Sequence, residues 1–346
     1  MEVDSNFAVL AVSIGFVSTT LLTYFVMKVG LRKGVLDVPT DRISHTAPIP
    51  RGGGLAIIIS FLIFLWVYPR IYELPFDVST WRGLLLGGTT IAVVGIFDDL
   101  NHIPARWRFL VHLFAAVLSL SMLTSLPEVE AFGRNFNFGP LGIAFFAVSL
   151  VWFINLFNFM DGVDGIAGVE AISSLGAGAL IMFVLGHGEW LVLFAYLAAC
   201  VAGFLVWNWP PAKVFLGDAG SGFLGFALGF LAIVTSTSGV MNIWSWTILF
   251  GVFITDAMAT LVTRLMRGEK VYEAHRSHAY QILSRRYGSH SKVSLGVLVI
   301  NIVWLLPLAF LAAKYSYWAM AICSIALAPL LFVAVRVGAG KREVEC

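Results

Sequence analysis

Two adjacent carboxylates follow an apolar run of the chain, in a position where they need a positively charged partner. Asp98 and Asp99 come directly after Phe97, and two arginines, Arg106 and Arg108, follow shortly after them. In a membrane protein, carboxylates at the end of a span are costly unless they face a cation or a metal ion. The pair therefore indicates phosphate or metal chemistry, with a solvated helix end as the simpler alternative.

Oxygen-bearing side chains recur every three residues further along the chain. Asn155, Asn158 and Asp161 share one face of a helix if the helix continues that far. Gly162 then lets the backbone approach a ligand closely, and Asp164 adds another carboxylate. Such oxygen ligands suit a hard cation together with a phosphate. A purely structural turn explains the glycines of this segment but not the whole set.

A third polar segment joins two apolar helices near Asp218. The glycine and serine residues at 220–222 begin the next helix, whose exposed N–H groups and dipole should attract an anion. Phe215 lies three residues before Asp218, where its ring can cover a planar ring of a ligand. The alternative is an ordinary helix N-cap, because Asp is a favoured residue at that position.

The longest polar segment, residues 269–292, is rich in basic side chains, which in such loops commonly only touch anionic lipid. Its basic residues, with two arginines that precede it, include Arg264, Arg267, His275, Arg276, His278, Arg285 and Arg286. Each of the four segments is a moderate or weak signal by itself. Together they predict a site of carboxylates, arginines and histidines that transfers phosphate-bearing groups.

The elements that must position these residues are membrane helices. Of the 346 residues, 59% are hydrophobic and 12% are charged, against about 25% charged in soluble proteins. A helix needs about 20 apolar residues to cross a bilayer. The apolar runs predict eleven such helices, near residues 7–29, 52–68, 83–97, 106–126, 141–157, 166–186, 189–208, 220–237, 243–263, 292–313 and 316–336. The prediction is a single all-α integral membrane domain, residues 1–346, built as a polytopic bundle.

The distribution of basic residues predicts the orientation of this bundle. Of the 22 lysines and arginines, 18 fall on one side of the membrane, and the other side has Arg70, Arg82, Arg134 and Lys314. The positive-inside rule places the richer side in the cytoplasm. The N-terminus is then outside and the C-terminus cytoplasmic, in agreement with an odd number of helices. All four polar segments fall on the cytoplasmic side.

In this order, the polar segments resemble the motifs of the polyprenyl-phosphate N-acetylhexosamine-1-phosphate transferases, of the glycosyltransferase family 4 type. The similarity runs from about Lys33 to Gln281 and continues through the segments around Asp98, Asn158 and Asp218. In the first loop it includes Lys33-Gly34, Arg42-Ile43-Ser44-His45 and Pro50-Arg51-Gly52-Gly53. An ordered set of this kind is highly specific.

The resemblance implies transfer of a sugar-1-phosphate from a UDP-sugar to undecaprenyl phosphate, with release of UMP. It implies Mg²⁺, with Mn²⁺ as a substitute, held by Asn158 and Asp218. By motif position it assigns uracil binding to Phe215, Gly162 and Asp164. It assigns phosphate binding to Arg106, Arg108 and Lys33. It also gives Asp161, Asn155 and His45 as further site positions. Asp98 and Asp99 are the expected catalytic pair, orienting metal or nucleophile in a single displacement, with an aspartyl-phosphate intermediate left open.

The segment from His275 to Gln281 departs from the denser histidine cluster of several bacterial members. This variant is similar to the O-antigen-initiating subgroup that accepts UDP-N-acetylfucosamine or UDP-N-acetylquinovosamine, so His275, Arg276 and His278 are expected to recognise the sugar. The expected setting is the bacterial inner membrane, in lipopolysaccharide biosynthesis or another cell-envelope process. Undecaprenyl phosphate, a UDP-N-acetyl-sugar and membrane lipid are the expected partners, a homodimer is left open, and nucleic acid is not expected.

Two other classes of membrane protein fit parts of the sequence. A secondary transporter of a phosphorylated or anionic substrate also has many helices and intramembrane charge, and it is the alternative prediction. Against it, the polar segments cluster at one membrane face rather than the midplane, and no inverted repeat is visible. A CDP-alcohol phosphotransferase needs an arginine after Asp164-Gly165-Ile166-Ala167, where this chain has Gly168.

Overall fold

The structure, a computed structural model, describes residues 5–37, 48–71, 77–101, 103–270 and 275–341. In chain order its α-helices are α1 (Ser5–Lys33), α2 (Gly54–Val67), α3 (Val78–Asn101), α4 (Ala105–Leu120), α5 (Gly142–Met160), α6 (Ile166–Val184), α7 (Leu191–Asn208), α8 (Gly217–Thr237), α9 (Ile243–Leu249), α10 (Gly251–Met266), α11 (Ala279–Tyr287), α12 (His290–Ile300), α13 (Leu306–Lys314) and α14 (Ala319–Val337). Two short antiparallel hairpins pair β1 (Leu36–Asp37) with β2 (Ile49–Pro50) and β3 (Val129–Ala131) with β4 (Arg134–Phe136).

The helices make this an all-α polytopic membrane protein. In the described residues, eight helices are long and apolar enough to cross a membrane, and the bent pair of α9 and α10 can provide a ninth span. The helical segment Gly54–Arg70 is apolar but shorter than these spans. The count of eleven spans and the direction of the termini therefore remain predictions.

Two of the predicted continuous helices are interrupted. The prediction of one helix over 243–263 is wrong, because α9 and α10 meet at an angle of 79° next to Phe250. Gly251 begins α10 so close to the side chains of Leu305 and Leu327 that a Cβ there would lie 2.7 Å from Leu327. The helix predicted over 292–313 consists of α12, a π-helical turn over Asn301–Leu305, and α13.

Helix α8 forms the centre of the bundle. Almost all of its residues are buried, and it packs against α2, α3 and α5. Its small residues allow this close packing; Gly225, for example, faces the backbone of Phe153 and Ile154 on α5. Because α3 and α5 end where α8 begins, the polar ends of three helices lie at one end of the bundle.

Candidate active site

Four side chains from these helix ends form what we call the acidic centre: Asp99, Asn158, Asp161 and Asp218. Asp99, near the end of α3, accepts hydrogen bonds from the backbone N–H groups of Asp218 at 2.8 Å and Ala219 at 3.2 Å. A carboxylate at a helix N-terminus satisfies N–H groups that have no partner within the helix. The first turn of α8 is therefore capped from α3. These two amides are occupied by the Asp99 carboxylate, and the prediction that the N–H groups of residues 220–222 attract an anionic ligand stays a prediction.

Gly217 allows this contact between α3 and α8. Its φ of +80° lies in the left-handed region that favours glycine. A Cβ at this position would lie 2.8 Å from one carboxylate oxygen of Asp99 and 3.1 Å from the backbone nitrogen of Gly52. The backbone geometry and the packing thus both require glycine here.

Asn158 joins α5 to the same point. Its Nδ2 donates to Oδ1 of Asp218 at 2.5 Å and to the hydroxyl of Ser221 at 3.1 Å. The two residues predicted to hold the metal ion are therefore in direct contact, although 60 residues separate them along the chain.

Asp161 follows the last residue of α5 and adds negative charge to the centre. Burial raises the pKa of Asp161 well above its usual value, and the neighbouring charges of Asp218 and Asp164 raise it further. The charge of Arg51 acts in the opposite direction and lowers this pKa. Arg51 belongs to the Pro50-Arg51-Gly52-Gly53 motif, from which no role for it could be predicted, and the structure places its charge beside the acidic centre.

Asp98 has different partners from its neighbour Asp99, because consecutive helical residues point in different directions. It is buried, accepts a hydrogen bond from the backbone N–H of Ile103 at 2.7 Å, and forms an ion pair with Arg108. Arg108, predicted to bind phosphate, is thus held by Asp98. Arg106, the other predicted phosphate ligand of this segment, is exposed and lies over the ring of Trp107.

The residues predicted to bind the nucleotide lie in two segments that contact each other. Oδ2 of Asp164 accepts a hydrogen bond from the backbone N–H of Ala212 at 3.1 Å and lies 3.2 Å from Nδ1 of His290. The backbone N–H of Phe215 donates to Pro50 at 2.9 Å, which ties this segment to the β1–β2 hairpin. His290 was not among the predicted site residues, because nothing in the sequence distinguishes it from a solvated loop histidine.

The third predicted group, His275, Arg276 and His278, precedes α11 and forms what we call the histidine loop, residues 275–278. The rings of His275 and His278 stack with centroids 4.8 Å apart. Nδ1 of His278 lies 3.2 Å from Oδ1 of Asp256 on α10. Sequence reasoning missed Asp256, although a single carboxylate inside an apolar span is a signal of function.

Tyr280, in the first turn of α11, connects the histidine loop to the acidic centre. Its hydroxyl donates to the backbone carbonyl of Phe159 at 2.9 Å. A Cβ added at Gly162 would collide with this hydroxyl and approach the Gln281 side chain to 2.9 Å. The absence of a side chain at Gly162 therefore lets α11 pack against the end of α5.

For three predicted site residues, the contacts of the described residues show no link to these groups. Nδ2 of Asn155 donates to the carbonyl of Val151 in its own helix at 2.7 Å. Lys33 is exposed at the end of α1. His45 lies outside the described residues.

Comparison with known proteins identifies the family. A sequence profile of Glycosyl transferase family 4 matches residues 81–236, from α3 to the end of α8. The phospho-N-acetylmuramoyl-pentapeptide-transferase of Moorella thermoacetica is 32% identical over 243 residues, which are 65% of this chain and 72% of that protein. The chain belongs to glycosyl transferase family 4.

Other relatives cover more of this family 4 chain. A probable undecaprenyl-phosphate N-acetylglucosaminyl 1-phosphate transferase of Bacillus subtilis is 27% identical over 85% of this chain and 81% of its own length. An undecaprenyl-phosphate alpha-N-acetylglucosaminyl 1-phosphate transferase of Thermotoga maritima is 28% identical over 80% of both chains. The profile match contains the whole acidic centre but ends before Asp256 and the histidine loop.

The acidic centre of this family 4 protein fits a magnesium ion in its donor chemistry. Carboxylates and an amide oxygen are the ligands that a hard cation prefers, and the pKa of Asp161 is raised first by burial and then by the negative charges of Asp218 and Asp164 beside it. Among the described residues, no three His, Cys, Asp or Glu side chains are grouped so that they could hold a metal ion by themselves. Mg²⁺ commonly binds one or two carboxylates together with substrate phosphates and water, so this donor set suits it.

A shallow groove lies between α5 and α10 beside the histidine loop. We call it the α5–α10 groove. Its apolar lining is Trp152, Leu156, Phe159, Ala257 and Leu261, and its polar lining is Thr260, Arg264, His275 and His278. Phe159, half exposed, is common to the groove and to the contact with Tyr280. The groove thus combines an apolar wall with basic side chains.

Proposed function

We propose that this protein transfers an N-acetylhexosamine-1-phosphate from a UDP-sugar to undecaprenyl phosphate, releasing UMP and forming a lipid-linked diphosphate. The observation that carries the proposal is the meeting of Asp99, Asn158 and Asp218, from three different helices, at one end of a membrane bundle. The relatives named above, which transfer N-acetylglucosaminyl 1-phosphate to undecaprenyl phosphate by their names, support the same reaction.

The proposed step is a single displacement. An oxygen of the lipid phosphate attacks the β-phosphorus of the UDP-sugar, the bond from that phosphorus to the bridging oxygen breaks, and UMP leaves with the electron pair. A phosphate monoester has a second pKa near 6, so the attacking group is already largely a dianion at neutral pH. The reaction therefore needs little general-base help and depends mainly on charge neutralisation and positioning.

Asp218 and Asn158 would hold Mg²⁺, with Asp161 beside them. When bound, the ion supplies positive charge that neutralises the diphosphate and the oxygens of the transition state. Asp99 holds the first turn of α8, and with it the backbone of Asp218, in a fixed position. Asp98 holds Arg108 in an ion pair, and the guanidinium of Arg108 would orient a phosphate.

The lipid acceptor must keep its chain in the bilayer while its phosphate reaches the acidic centre. The α5–α10 groove suits this, because apolar side chains line one part and Arg264, His275 and His278 another. The 18 basic residues on one predicted side support a cytoplasmic position for this end of the bundle. A bacterial cytoplasmic membrane is the corresponding location.

The sugar is the least constrained part of the proposal. The names of the relatives favour N-acetylglucosamine, whereas the histidine loop resembles the subgroup that uses N-acetylfucosamine or N-acetylquinovosamine to begin an O-antigen. The shared chemistry is a UDP-N-acetylhexosamine with a variable hydroxyl pattern. We assign recognition of that pattern to His275 and Arg276 of the histidine loop.

A direct transfer assay tests the proposal. The purified protein in nanodiscs is incubated with undecaprenyl phosphate, Mg²⁺ and each UDP-N-acetyl-sugar, and lipid product and UMP are quantified by mass spectrometry. We expect one donor to give the lipid diphosphate-sugar and UMP in equal amounts, and an Asp218→Asn variant to give neither. The absence of product with every donor, under conditions where a known relative is active, would overturn the proposal.

A further inference from the structure

A single buried carboxylate, Asp256, holds the start of α11 and the histidine loop. It is 4% exposed on α10 and outside the region that matches the family profile. Its Oδ1 accepts from the backbone N–H of Ala279 at 2.9 Å, and its Oδ2 accepts from the backbone N–H of Tyr280 at 2.9 Å. The hydroxyl of Thr260 donates to Oδ1 at 3.2 Å. With the imidazole of His278, four donors converge on one side chain.

The contact with His278 fixes the proton on that ring. A carboxylate only accepts hydrogen bonds, so the 3.2 Å contact of Oδ1 with Nδ1 requires the proton to be on Nδ1. In a neutral ring, Nε2 is then left as the acceptor, and in a charged ring it is a second donor. His278 is itself 4% exposed and lines the α5–α10 groove, so Nε2 is the nitrogen available to a ligand there.

We propose that Asp256 is a positioning residue that fixes the tautomer and orientation of His278, so that Nε2–H of the charged ring donates to a phosphate oxygen of a substrate in the α5–α10 groove. This inference rests on the proposed function for the identity of the substrates. The phosphate belongs either to the lipid acceptor or to the diphosphate of the UDP-sugar, which share this chemistry. Tyr280, whose N–H is held by the same carboxylate, transmits the arrangement to Phe159 and Gly162.

The test is a double-mutant cycle with Asp256→Asn, His278→Gln and the combined variant, measured as kcat and KM for each substrate. If Asp256 acts through His278, each single change should lower kcat/KM roughly 10- to 100-fold, the usual effect of losing a charge-assisted hydrogen bond. The kcat/KM of the combined variant should lie within about threefold of that of the less active single variant, because both changes disrupt the same arrangement. A raised KM for undecaprenyl phosphate assigns the contact to the acceptor, and a raised KM for the UDP-sugar assigns it to the donor.

Asp77→Asn is the matched control for a purely structural cap. Asp77 accepts from the backbone N–H and the hydroxyl of Thr80 at the start of α3, at 2.8 and 2.9 Å. It has the same capping chemistry as Asp256 but lies at the other end of α3 from Asp99. We expect this variant to keep kcat and both KM values within about twofold of the unmodified protein. Multiplicative losses in the cycle, or an Asp256→Asn variant as active as Asp77→Asn, would overturn the proposal.

A second measurement does not depend on turnover. Diethyl pyrocarbonate modifies the free imidazole nitrogen, and peptide mass spectrometry gives its rate at His278 relative to His187, which is 40% exposed elsewhere. We expect Asp256→Asn to change the rate of modification of His278 several-fold, because the ring is no longer held in one orientation by the carboxylate. An unchanged rate would overturn the positioning role even if the protein transferred no sugar, so failure of the proposed function and failure of this inference are distinguishable.

Discussion

The acidic centre and the Asp256–His278 pair both place carboxylates at the same end of the bundle, half-buried in the first and buried in the second, but their hydrogen bonds are different. Asp99 and Asp218 come from separate helices, and their partners are two backbone amides and one asparagine. Asp256 instead receives four donors, one of them an imidazole that can carry charge. The acidic centre therefore retains excess negative charge, whereas the charge of Asp256 is stabilised by its four hydrogen-bond donors.

The difference separates two roles for carboxylates at this end of the bundle. A crowded group with unmatched negative charge is suited to bind a cation from outside the protein. A carboxylate surrounded by donors is suited to hold other protein groups in place. Substitutions in the two regions should consequently have effects of different size and kind.

The largest effect is expected in the acidic centre. Asp218→Asn keeps the shape of the side chain but removes its charge, so we expect turnover to fall on the order of 10³-fold. The melting temperature should change little, because Asn158 can still hydrogen-bond to the amide oxygen. Steady-state kinetics and a thermal melt of the purified variant check both. Turnover within tenfold of the unmodified protein would place the cation site elsewhere and remove the contrast between the regions.

A smaller effect, on stability rather than charge, is expected from Gly217→Ala. The positive φ and the closeness to Asp99 should destabilise this variant by about 2 kcal/mol more than an alanine in an open left-handed position. Gly239→Ala is the matched control, because Gly239 has a φ of +70° and no neighbouring atom within 4 Å of an added Cβ. Thermal melts of both variants in the same detergent compare them, and equal losses would show that the α3–α8 contact contributes nothing to stability.

The acidic centre could be predicted from the sequence because each of its residues lies in a short motif with other polar groups. The positions of Asp98, Asn158 and Asp218 along the chain did not reveal that Asp99 caps α8, since that contact spans 119 residues. Asp256 has apolar neighbours in sequence, and its four donors become visible only when α10 and α11 fold together. The bend between α9 and α10 was also hidden, because hydropathy gives the length of an apolar run and not its direction.

The smallest effect is expected from the part of the histidine loop that does not contact Asp256. Replacing His275 and Arg276 by the residues of the Bacillus subtilis relative, with His278 kept, should change the ratio of kcat/KM between UDP-sugars about tenfold. UMP inhibition should change little, because the nucleotide is assigned to Phe215 and Asp164. An unchanged donor ratio, or an equal loss with every donor, would remove sugar recognition from these two residues.

The most direct test of the account is to measure where a divalent cation binds. Mn²⁺, as a substitute for Mg²⁺, is titrated into the purified protein in nanodiscs with UDP-N-acetylglucosamine present, and bound metal is followed by electron paramagnetic resonance. We expect about one bound Mn²⁺ per chain in the unmodified protein and in Asp256→Asn, and binding weakened roughly tenfold or more in Asp218→Asn. Equal Mn²⁺ affinity in Asp218→Asn, or loss of binding in Asp256→Asn alone, would contradict the assignment of the acidic centre as the cation site.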